Sequence, residues 1–128
     1  MYGLPSIIKV GYQDYTTILD TAEGIRRRHS GETDFDKFTI TVSAHVSKVE
    51  LADTLIHEVL HAIFHSQGLN TPDEENLVTN LAHGLVDVFR RNPGLVFYLL
   101  SLLNLIKERS PQVNDEGKTN PSPTINAE

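Results

Sequence analysis

The chain has 128 residues, of which 39% are hydrophobic and 22% are charged, and its formal net charge is −6. This length suits one domain with a single core, and the composition is ordinary for a soluble globular protein. The acidic balance argues against non-specific nucleic-acid binding as the main role. Because the sequence contains no cysteine, disulfides and cysteine metal sites are excluded, and any metal must use histidine and carboxylate ligands.

The sequence predicts neither a membrane partner nor a signal peptide. Its longest apolar-rich stretch, Leu95 to Ile106, is shorter than the roughly 20 residues that span a bilayer. The first residues lack a basic region followed by an apolar core, so a cytoplasmic protein is expected. The basic run Arg26 to Arg28 is better interpreted as a solvated face than as a nucleic-acid site.

Three strands are predicted in the first third of the chain. Ser6 to Tyr12 is rich in β-branched residues, and Asp14 to Leu19 follows a tight turn at Gln13-Asp14. Lys37 to Ser43 alternates apolar residues with threonine, which is typical of a strand with one buried face. The intervening stretch, Gly24 to Asp36, is polar and carries turn signals, so it predicts a loop or an irregular hairpin.

The first helix is predicted from both of its ends. Ser47-Lys48-Val49-Glu50 has the form of a capping box, so the helix begins just after Ser47. It runs to about Ser66, because Gly68 suits the C′ position that follows a helix end.

Two more helices and a tail complete the predicted fold. Thr71 is the expected N-cap of the second helix, with Pro72 at its first position. The third, from Pro93 to about Lys107, is apolar almost all round, which favours burial or contact with another chain, a phage protein or a second copy. Residues 109–128 are too polar to order themselves. The expected fold is α+β: a single domain over 1–108 in which about three antiparallel or mixed strands pack on the first helix, followed by two further helices and a disordered tail.

The first helix contains the sequence His57-Glu58-Val59-Leu60-His61. Residues four apart lie on one face of a helix, so two imidazoles so placed can bind one Zn²⁺ at roughly 2.0–2.1 Å each. Both histidines lie at the margin of the apolar stripe rather than in its centre, as a metal at the edge of a cleft requires. The pattern predicts a zinc site with His57 and His61 as ligands. Glu58 is the expected general base that takes a proton from a bound water.

A catalytic zinc needs a third protein ligand. Gln67 stands where an extended motif would carry another histidine, and His65 lies about 12 Å along the helix axis from His57, too far for one tetrahedral ion. Glu74 and Glu75 open the second helix, and helical phase puts Glu75 at the edge of its apolar face. Glu75 is therefore the favoured ligand and Glu74 the alternative, although either residue could merely complement the helix dipole.

The residues leave three functions open. A zinc peptidase would need a donor for the developing oxyanion, for which His83, Tyr98 and His45 are candidates among which the sequence does not choose. The second hypothesis is a catalytically inert phage structural or assembly protein that retains a structural zinc site. The third is a helical binding module without metal.

Four sequence elements together resemble a known group of enzymes. They are His57 to His61, Glu74-Glu75, Leu81 to Leu85 (Leu-Ala-His-Gly-Leu) and Asn92-Pro93, and the resemblance covers roughly Ile7 to Leu100. The chain resembles small phage- and prophage-encoded zinc metallopeptidases, which are similar in plan to the minimal gluzincins, including the ImmA/IrrE and SprT-like groups. Of these elements, the H-E-x-x-H sequence is specific for zinc peptidases.

The resemblance implies zinc held by His57, His61 and a glutamate of the second helix, with Glu58 as general base. It also implies that the strand Phe38 to Ser43 lies at the sheet edge and pairs with an extended peptide. The second helix departs from the ImmA/IrrE pattern, because Glu75 to Ala82 is only a degenerate match to Glu-x-x-Ala-Asn-x-Phe-Ala. The expected function is zinc-dependent hydrolysis of a protein or peptide, in the host cytoplasm or a virion.

Overall fold

The computed structural model describes residues 3–21, 30–108 and 123–125, so the basic run at 26–28 lies outside the described part. The described residues fall into two compact units, one of residues 3–87 and one that begins at Val88. A four-stranded sheet and the metal-motif helix belong to the first unit. The predicted α+β class is confirmed, with one more strand in the main sheet than expected.

The sheet is mixed. Its strands are β1 (Ile7–Val10), β2 (Gln13–Asp20), β3 (Gly31–Asp34) and β4 (Thr39–Ser43), arranged in the order β1-β2-β4-β3. β1 and β2 are antiparallel, β2 and β4 are parallel, and β4 and β3 are antiparallel. β3 lies within the stretch that the sequence predicted as a loop or irregular hairpin.

The hairpin between β1 and β2 turns earlier than expected. Its turn is Gly11-Tyr12 rather than Gln13-Asp14, because Gly11 adopts the left-handed conformation (φ +60°) that glycine tolerates best. A side chain at Gly11 would also meet Ser66, since a Cβ there would lie 2.2 Å from the Ser66 hydroxyl oxygen. This turn therefore packs tightly against the end of the first helix.

The expectation that Phe38 to Ser43 is an edge strand is wrong. β4 lies between β2 and β3, and its Ile40 and Val42 are fully buried, so the edge on that side is β3. β4 also starts only at Thr39, because Phe38 has φ +54° and belongs to the preceding turn. The Asp34 carboxylate closes that turn by accepting the backbone N–H groups of residues 36 and 37, and these hydrogen bonds lower the pKa of Asp34.

The first helix, α1 (Lys48–Ser66), has both predicted ends. Ser47 is the N-cap, and its side chain accepts the backbone N–H of Glu50 at 3.1 Å. At the other end Gly68 has φ +66°, and the N–H of Leu69 reaches back to the carbonyl of Phe64 at 2.9 Å. Local capping chemistry therefore fixes where the metal-motif helix begins and ends.

α1 packs against the sheet around a small core, formed by Val10, Tyr15, Ile40, Val42 and Ala62. Burial raises the pKa of the Tyr15 hydroxyl. On the β3 side the helix and the strand approach closely, since a Cβ at Gly31 would lie 2.6 Å from Thr54 Cγ2. This close approach brings the short edge strand alongside the helix face that carries Glu58.

The second helix, α2 (Glu74–Arg91), begins two residues later than predicted. Thr71, the expected N-cap, accepts the N–H of Asp73 through its hydroxyl at 3.4 Å, but Pro72 and Asp73 form a turn. The first helical carbonyl is that of Asp73, which accepts the N–H of Leu77 at 3.0 Å. Val78 and Ala82 are the buried residues of this helix.

The third helix, α3 (Pro93–Leu102), ends five residues before its predicted end at Lys107. Asn104 takes the left-handed conformation (φ +58°), and the N–H of Leu105 bonds the carbonyl of Leu100 at 2.8 Å, which closes the helix. Large apolar side chains of α3 are exposed rather than buried. None of the helices in the described ranges has the length and apolar character needed to cross a membrane.

Two short strands follow α3. β5 (Ile106–Glu108) pairs antiparallel with β6 (Pro123–Ile125), which lies within the stretch predicted as a disordered tail. The rest of that predicted tail, 109–122 and 126–128, lies outside the described residues.

Candidate metal centre

Three side chains from two helices meet at one point. His57 and His61 lie one turn apart on α1, and their Nε2 atoms are 3.1 Å from each other. Glu75, in the first turn of α2, reaches both rings: Oε1 is 3.0 Å from His57 Nε2 and Oε2 is 2.9 Å from His61 Nε2. The structure thus brings together the three residues that the sequence predicted as ligands.

The donor set fits a divalent metal such as zinc. Two imidazole nitrogens and a carboxylate are a ligand combination found in zinc hydrolases. In a tetrahedral site with bonds of roughly 2.0–2.2 Å, ligand atoms are about 3.3–3.6 Å apart. Here the two Nε2 atoms are 3.1 Å apart, and each lies 2.9–3.0 Å from a different oxygen of Glu75, so binding of an ion would require the three side chains to move apart and Glu75 to turn one oxygen toward it. The other group near the rings, Glu74, contacts the opposite side of His61.

Glu74 contacts the His61 ring at the nitrogen opposite the one that faces Glu75. Its Oε2 lies 2.7 Å from Nδ1 of His61, while Nε2 of the same ring points to Glu75. An N–H at Nδ1 that donates to Glu74 leaves the Nε2 lone pair available for a metal. Of the two glutamates that the sequence left open, Glu75 is the one that reaches both Nε2 atoms, whereas Glu74 contacts the opposite nitrogen of His61.

Glu58, the predicted general base, is buried beside the ligands. Only 6% of its surface is exposed, and the Thr33 hydroxyl donates to its Oε1 at 2.7 Å. That hydroxyl is also 3.2 Å from the Glu58 carbonyl oxygen, but a single proton favours the shorter contact with the charged carboxylate. Thr33 lies on the edge strand β3, so the sheet fixes the orientation of the Glu58 carboxylate.

The ligands and Glu58 line a cleft of about 610 Å³. One wall is α1, with His57, Glu58 and His61, and the opposite wall is β3 and the turn that follows it, from Gly31 to Phe35. Glu74 and Glu75 border the cleft from α2. Substrate, metal and base would therefore share one open space.

A second cavity, of about 200 Å³, lies on the other side of His57 and Glu58. Asp53 and Thr79 line it together with His57, Glu58 and Glu75, so it follows the same pair of helices toward the start of α1. Just beyond, Asp53 Oδ2 is 2.7 Å from His83 Nδ1. The candidate oxyanion donor His83 is therefore held by Asp53, about two helical turns from Glu75 on α2.

The remaining predicted candidates lie elsewhere. His65 is outside the ligand group, as predicted, and its ring stacks on Phe35 at 4.4 Å. His45 follows β4, where its ring contacts the Thr21 carbonyl. Tyr98 lies on α3, in the second unit, and its side chain is exposed.

Sequence reasoning missed Thr33 and Gly31. Both lie in a four-residue strand that was interpreted as part of a loop or irregular hairpin, because Gly-Glu-Thr-Asp is too short and polar to show a strand pattern. The absence of a side chain at Gly31 lets β3 approach α1 closely. No local signal identifies a residue whose importance depends on a neighbour 25 positions away, as Thr33 depends on Glu58.

Comparisons with known proteins assign no family. The chain matches no protein-family model, and neither a curated protein nor a solved structure is significantly similar to it.

Proposed function

We propose that this protein is a zinc-dependent peptidase. The observation that carries the proposal is the convergence of His57, His61 and Glu75 beside a buried glutamate, Glu58, in an open cleft. Two histidines and a glutamate are the ligands of known zinc peptidases, which keep a fourth position for water. Open access favours a catalytic site over a closed structural one, because structural sites are usually filled by four protein ligands.

The bound metal would be held by His57, His61 and Glu75, with Glu74 supporting His61. Zinc in such a site lowers the pKa of bound water and polarises a carbonyl group. The protein's own contribution to proton transfer is Glu58, which accepts the proton of the attacking water and passes it to the leaving amine. The Thr33 hydroxyl fixes one carboxylate oxygen of Glu58, leaving the other to receive the proton.

The substrate would be an extended peptide. β3 borders the cleft, and among the described strands only β4 pairs with it. The outer edge of a strand can pair with an incoming chain through backbone hydrogen bonds. β3, rather than β4, is therefore the strand that we propose for substrate alignment.

The remaining expectations extend this proposal. The motif resemblance supports an origin in a phage or prophage, and action in the host cytoplasm or in a virion. The exposed apolar side chains of α3 are consistent with contact to another protein or to a second copy.

Glu58→Gln tests the proposal most directly. The full chain, purified without chelator, should carry about one zinc in wild type and in Glu58→Gln, measured by mass spectrometry. A peptide library should be cleaved by wild type but not by Glu58→Gln, since the amide cannot accept the proton. Asp14→Asn removes a carboxylate from β2, where Asp14 pairs with Lys9 and does not line the cleft, and it is the matched control, which should remain active.

Three results would refute the proposal. A Glu58→Gln variant as active as wild type would exclude the base assignment. Stoichiometric zinc with no cleavage of any peptide would favour the inert assembly protein, in which the metal only links α1 to α2. A wild type that takes up no zinc would favour the metal-free binding module.

A further inference from the structure

The exposed apolar residues of α3 follow one side of the helix. Four large side chains, each 40–59% exposed, lie at positions i, i+3, i+4 and i+7, namely Leu95, Tyr98, Leu99 and Leu102. This spacing places them on a single stripe about 100° wide, which we call the α3 stripe. The residues between them, Val96, Phe97 and Leu100, are less exposed. Among the described residues, the stripe is therefore left as an apolar surface.

The sequence around the stripe is uncharged. No acidic or basic residue occurs from Asn92 to Ile106, although 22% of the chain is charged. A nucleic acid or a strongly charged protein would find no opposite charge on this helix. A helix that lies in a membrane interface usually carries lysine or arginine on its polar face, and α3 has neither. The chemistry of α3 therefore favours an apolar protein surface as its partner.

The α3 stripe is complementary to itself. Its four residues are spaced symmetrically about the midpoint between Tyr98 and Leu99. In an antiparallel pair of α3 helices centred there, Leu95 is level with Leu102 of the second copy. Tyr98 and Leu99 of each copy then lie next to the two-fold axis. A two-fold contact uses the same patch on both chains, so a second copy offers an apolar residue at every level of the stripe.

The charges that precede α3 favour the antiparallel direction. Arg90 and Arg91 lie immediately before Asn92, the N-cap of α3. Parallel pairing would bring the arginines of two copies together at one end of the interface, and such like-charge contacts are unfavourable. Antiparallel pairing keeps them at opposite ends, and it also sets the two helix dipoles in opposite directions.

The exposed area is sufficient for a weak dimer. Leu103, which directly follows α3, is 65% exposed and extends the apolar surface. A fully exposed leucine or tyrosine presents on the order of 200 Å², so the stripe and Leu103 together expose roughly 500 Å² per copy. Two copies would remove on the order of 1,000 Å² from water, which is near the lower limit for a specific interface. We therefore expect a dissociation constant in the micromolar range.

We infer that the protein forms a homodimer in which α3 packs antiparallel against α3 of a second copy, about a two-fold axis between Tyr98 and Leu99. The interface lies in the second unit and uses no residue of the metal centre. The inference does not depend on the proposed peptidase function, so either proposal can fail without the other.

Sedimentation equilibrium of the full-length protein at about 1–100 μM is the first test. Wild type should shift from monomer to dimer across this range. Leu99→Glu should weaken the dimer roughly a hundredfold or more, because two apolar side chains lose their burial and two like charges meet near the axis. Leu81→Glu is the matched control on α2, since Leu81 is 46% exposed and Leu99 is 40% exposed. It should dimerise like wild type.

Two results of this experiment would overturn the inference. One is a wild type that stays monomeric throughout, and its binding to vesicles of neutral and anionic lipid would then assign the stripe to a membrane surface. The other is an equal loss of dimer in Leu99→Glu and Leu81→Glu, which would place the interface elsewhere.

A charge pair distinguishes a lost interface from a misfolded variant. Leu99→Glu and Leu99→Lys should each be monomeric alone, whereas an equimolar mixture should form a heterodimer, because opposite charges then meet across the axis. A misfolded chain would not regain a partner in this way. A mixture that remains monomeric would contradict the assignment of Leu99 to the interface.

Disulfide cross-linking tests the direction of the helices. The chain contains no cysteine, so a single substitution introduces the only thiol. For helices packed 8–10 Å apart, the two Leu99 Cα atoms would be about 6 Å apart, which a disulfide can bridge. The two Leu95 Cα atoms would be separated by more than about 10 Å along the axis. Oxidation should cross-link Leu99→Cys but not Leu95→Cys, and efficient cross-linking of Leu95→Cys would overturn the antiparallel dimer.

Discussion

Histidine–carboxylate contacts link α1 to α2 at two places, the first contact and the second contact, which differ in what surrounds them. Near the start of α2, His57 and His61 meet Glu75, while Glu74 contacts the far side of His61. Nearer the start of α1, Asp53 meets His83 at 2.7 Å. Both contacts use the same residue types and the same antiparallel pair of helices.

The difference lies in convergence and burial. In the first contact the His57 and His61 side chains are only 19% and 15% exposed, although Glu75 is 73% exposed, and three side chains converge on one point. In the second the His83 side chain is 62% exposed and, among the described residues, contacts one carboxylate, so it is a solvent-exposed pair. A histidine–carboxylate distance alone therefore does not indicate a metal site; the number of converging donors does.

The largest expected effect is on metal affinity. His61→Ala removes one ligand. Structural zinc sites with four protein ligands bind the ion with ~10–16 kcal/mol, so one ligand contributes about a quarter of that free energy. Its loss should weaken zinc binding about a hundredfold to a thousandfold. His83→Ala, the matched control from the other contact, should bind zinc like wild type. Competition with a fluorescent chelator measures both. Equal losses in the two variants would mean that the first contact is no more a metal site than the second.

The two ends of α1 were predictable from sequence because their determinants are local. Ser47 and Glu50 lie three residues apart, and Gly68 follows the helix end that it closes. The same locality explains why His57 and His61 were found together, since one helical turn relates them. Helical phase also predicted that Glu75 rather than Glu74 faces both histidines, and Glu75 is the glutamate that reaches both Nε2 atoms.

Strand order could not be predicted in the same way. Alternation identified β4 as a strand with a buried face, but an edge strand and a central strand with one buried face share that pattern. Only the pairing of β4 with both β2 and β3 distinguishes them, and β3 is four polar residues. The orienting role of Glu74 was likewise hidden, since it depends on which ring nitrogen the carboxylate reaches.

Glu74→Gln and Glu75→Gln compare the two glutamates that contact His61. An amide keeps the shape but loses the charge that holds the Nδ1 proton of His61, so zinc affinity should fall about 10–100-fold. Glu75→Gln removes a ligand, so it should lower zinc affinity further than Glu74→Gln does. Chelator competition on both variants ranks them. A loss in Glu74→Gln as large as in Glu75→Gln would reverse the roles that the distances assign.

Gly31→Ala tests whether the close approach of β3 to α1 stabilises the fold and keeps Thr33 in contact with Glu58. The added Cβ would lie 2.6 Å from Thr54 Cγ2 and 3.0 Å from the Thr41 carbonyl oxygen, so β3 or α1 must shift. Overpacking of this kind typically lowers the free energy of unfolding by about 1–3 kcal/mol. It should also weaken the Thr33–Glu58 hydrogen bond and hence reduce peptide cleavage.

Gly84→Ala makes the same chemical change where there is room. Nothing lies within 4 Å of a Cβ at this helical position, so the variant should gain roughly 0.5–1 kcal/mol. Urea unfolding of the metal-free proteins compares the two variants. If both are stabilised, the close approach of β3 to α1 has no energetic consequence.

The smallest expected effect is that of the Asp53–His83 pair. A double-mutant cycle with Asp53→Ala, His83→Ala and the double variant isolates the coupling between the two side chains. Because His83 is largely exposed, the coupling in unfolding free energy should be below about 1 kcal/mol and should shrink with added salt.

Asp53 Oδ1 is buried without a hydrogen-bond partner in the described part of the chain, so removal of this carboxylate also removes a desolvated oxygen. The loss of this unpaired oxygen limits how far Asp53→Ala lowers the free energy of unfolding. A coupling above about 2 kcal/mol would mean that the exposed contact fixes the helix pair as firmly as a buried one.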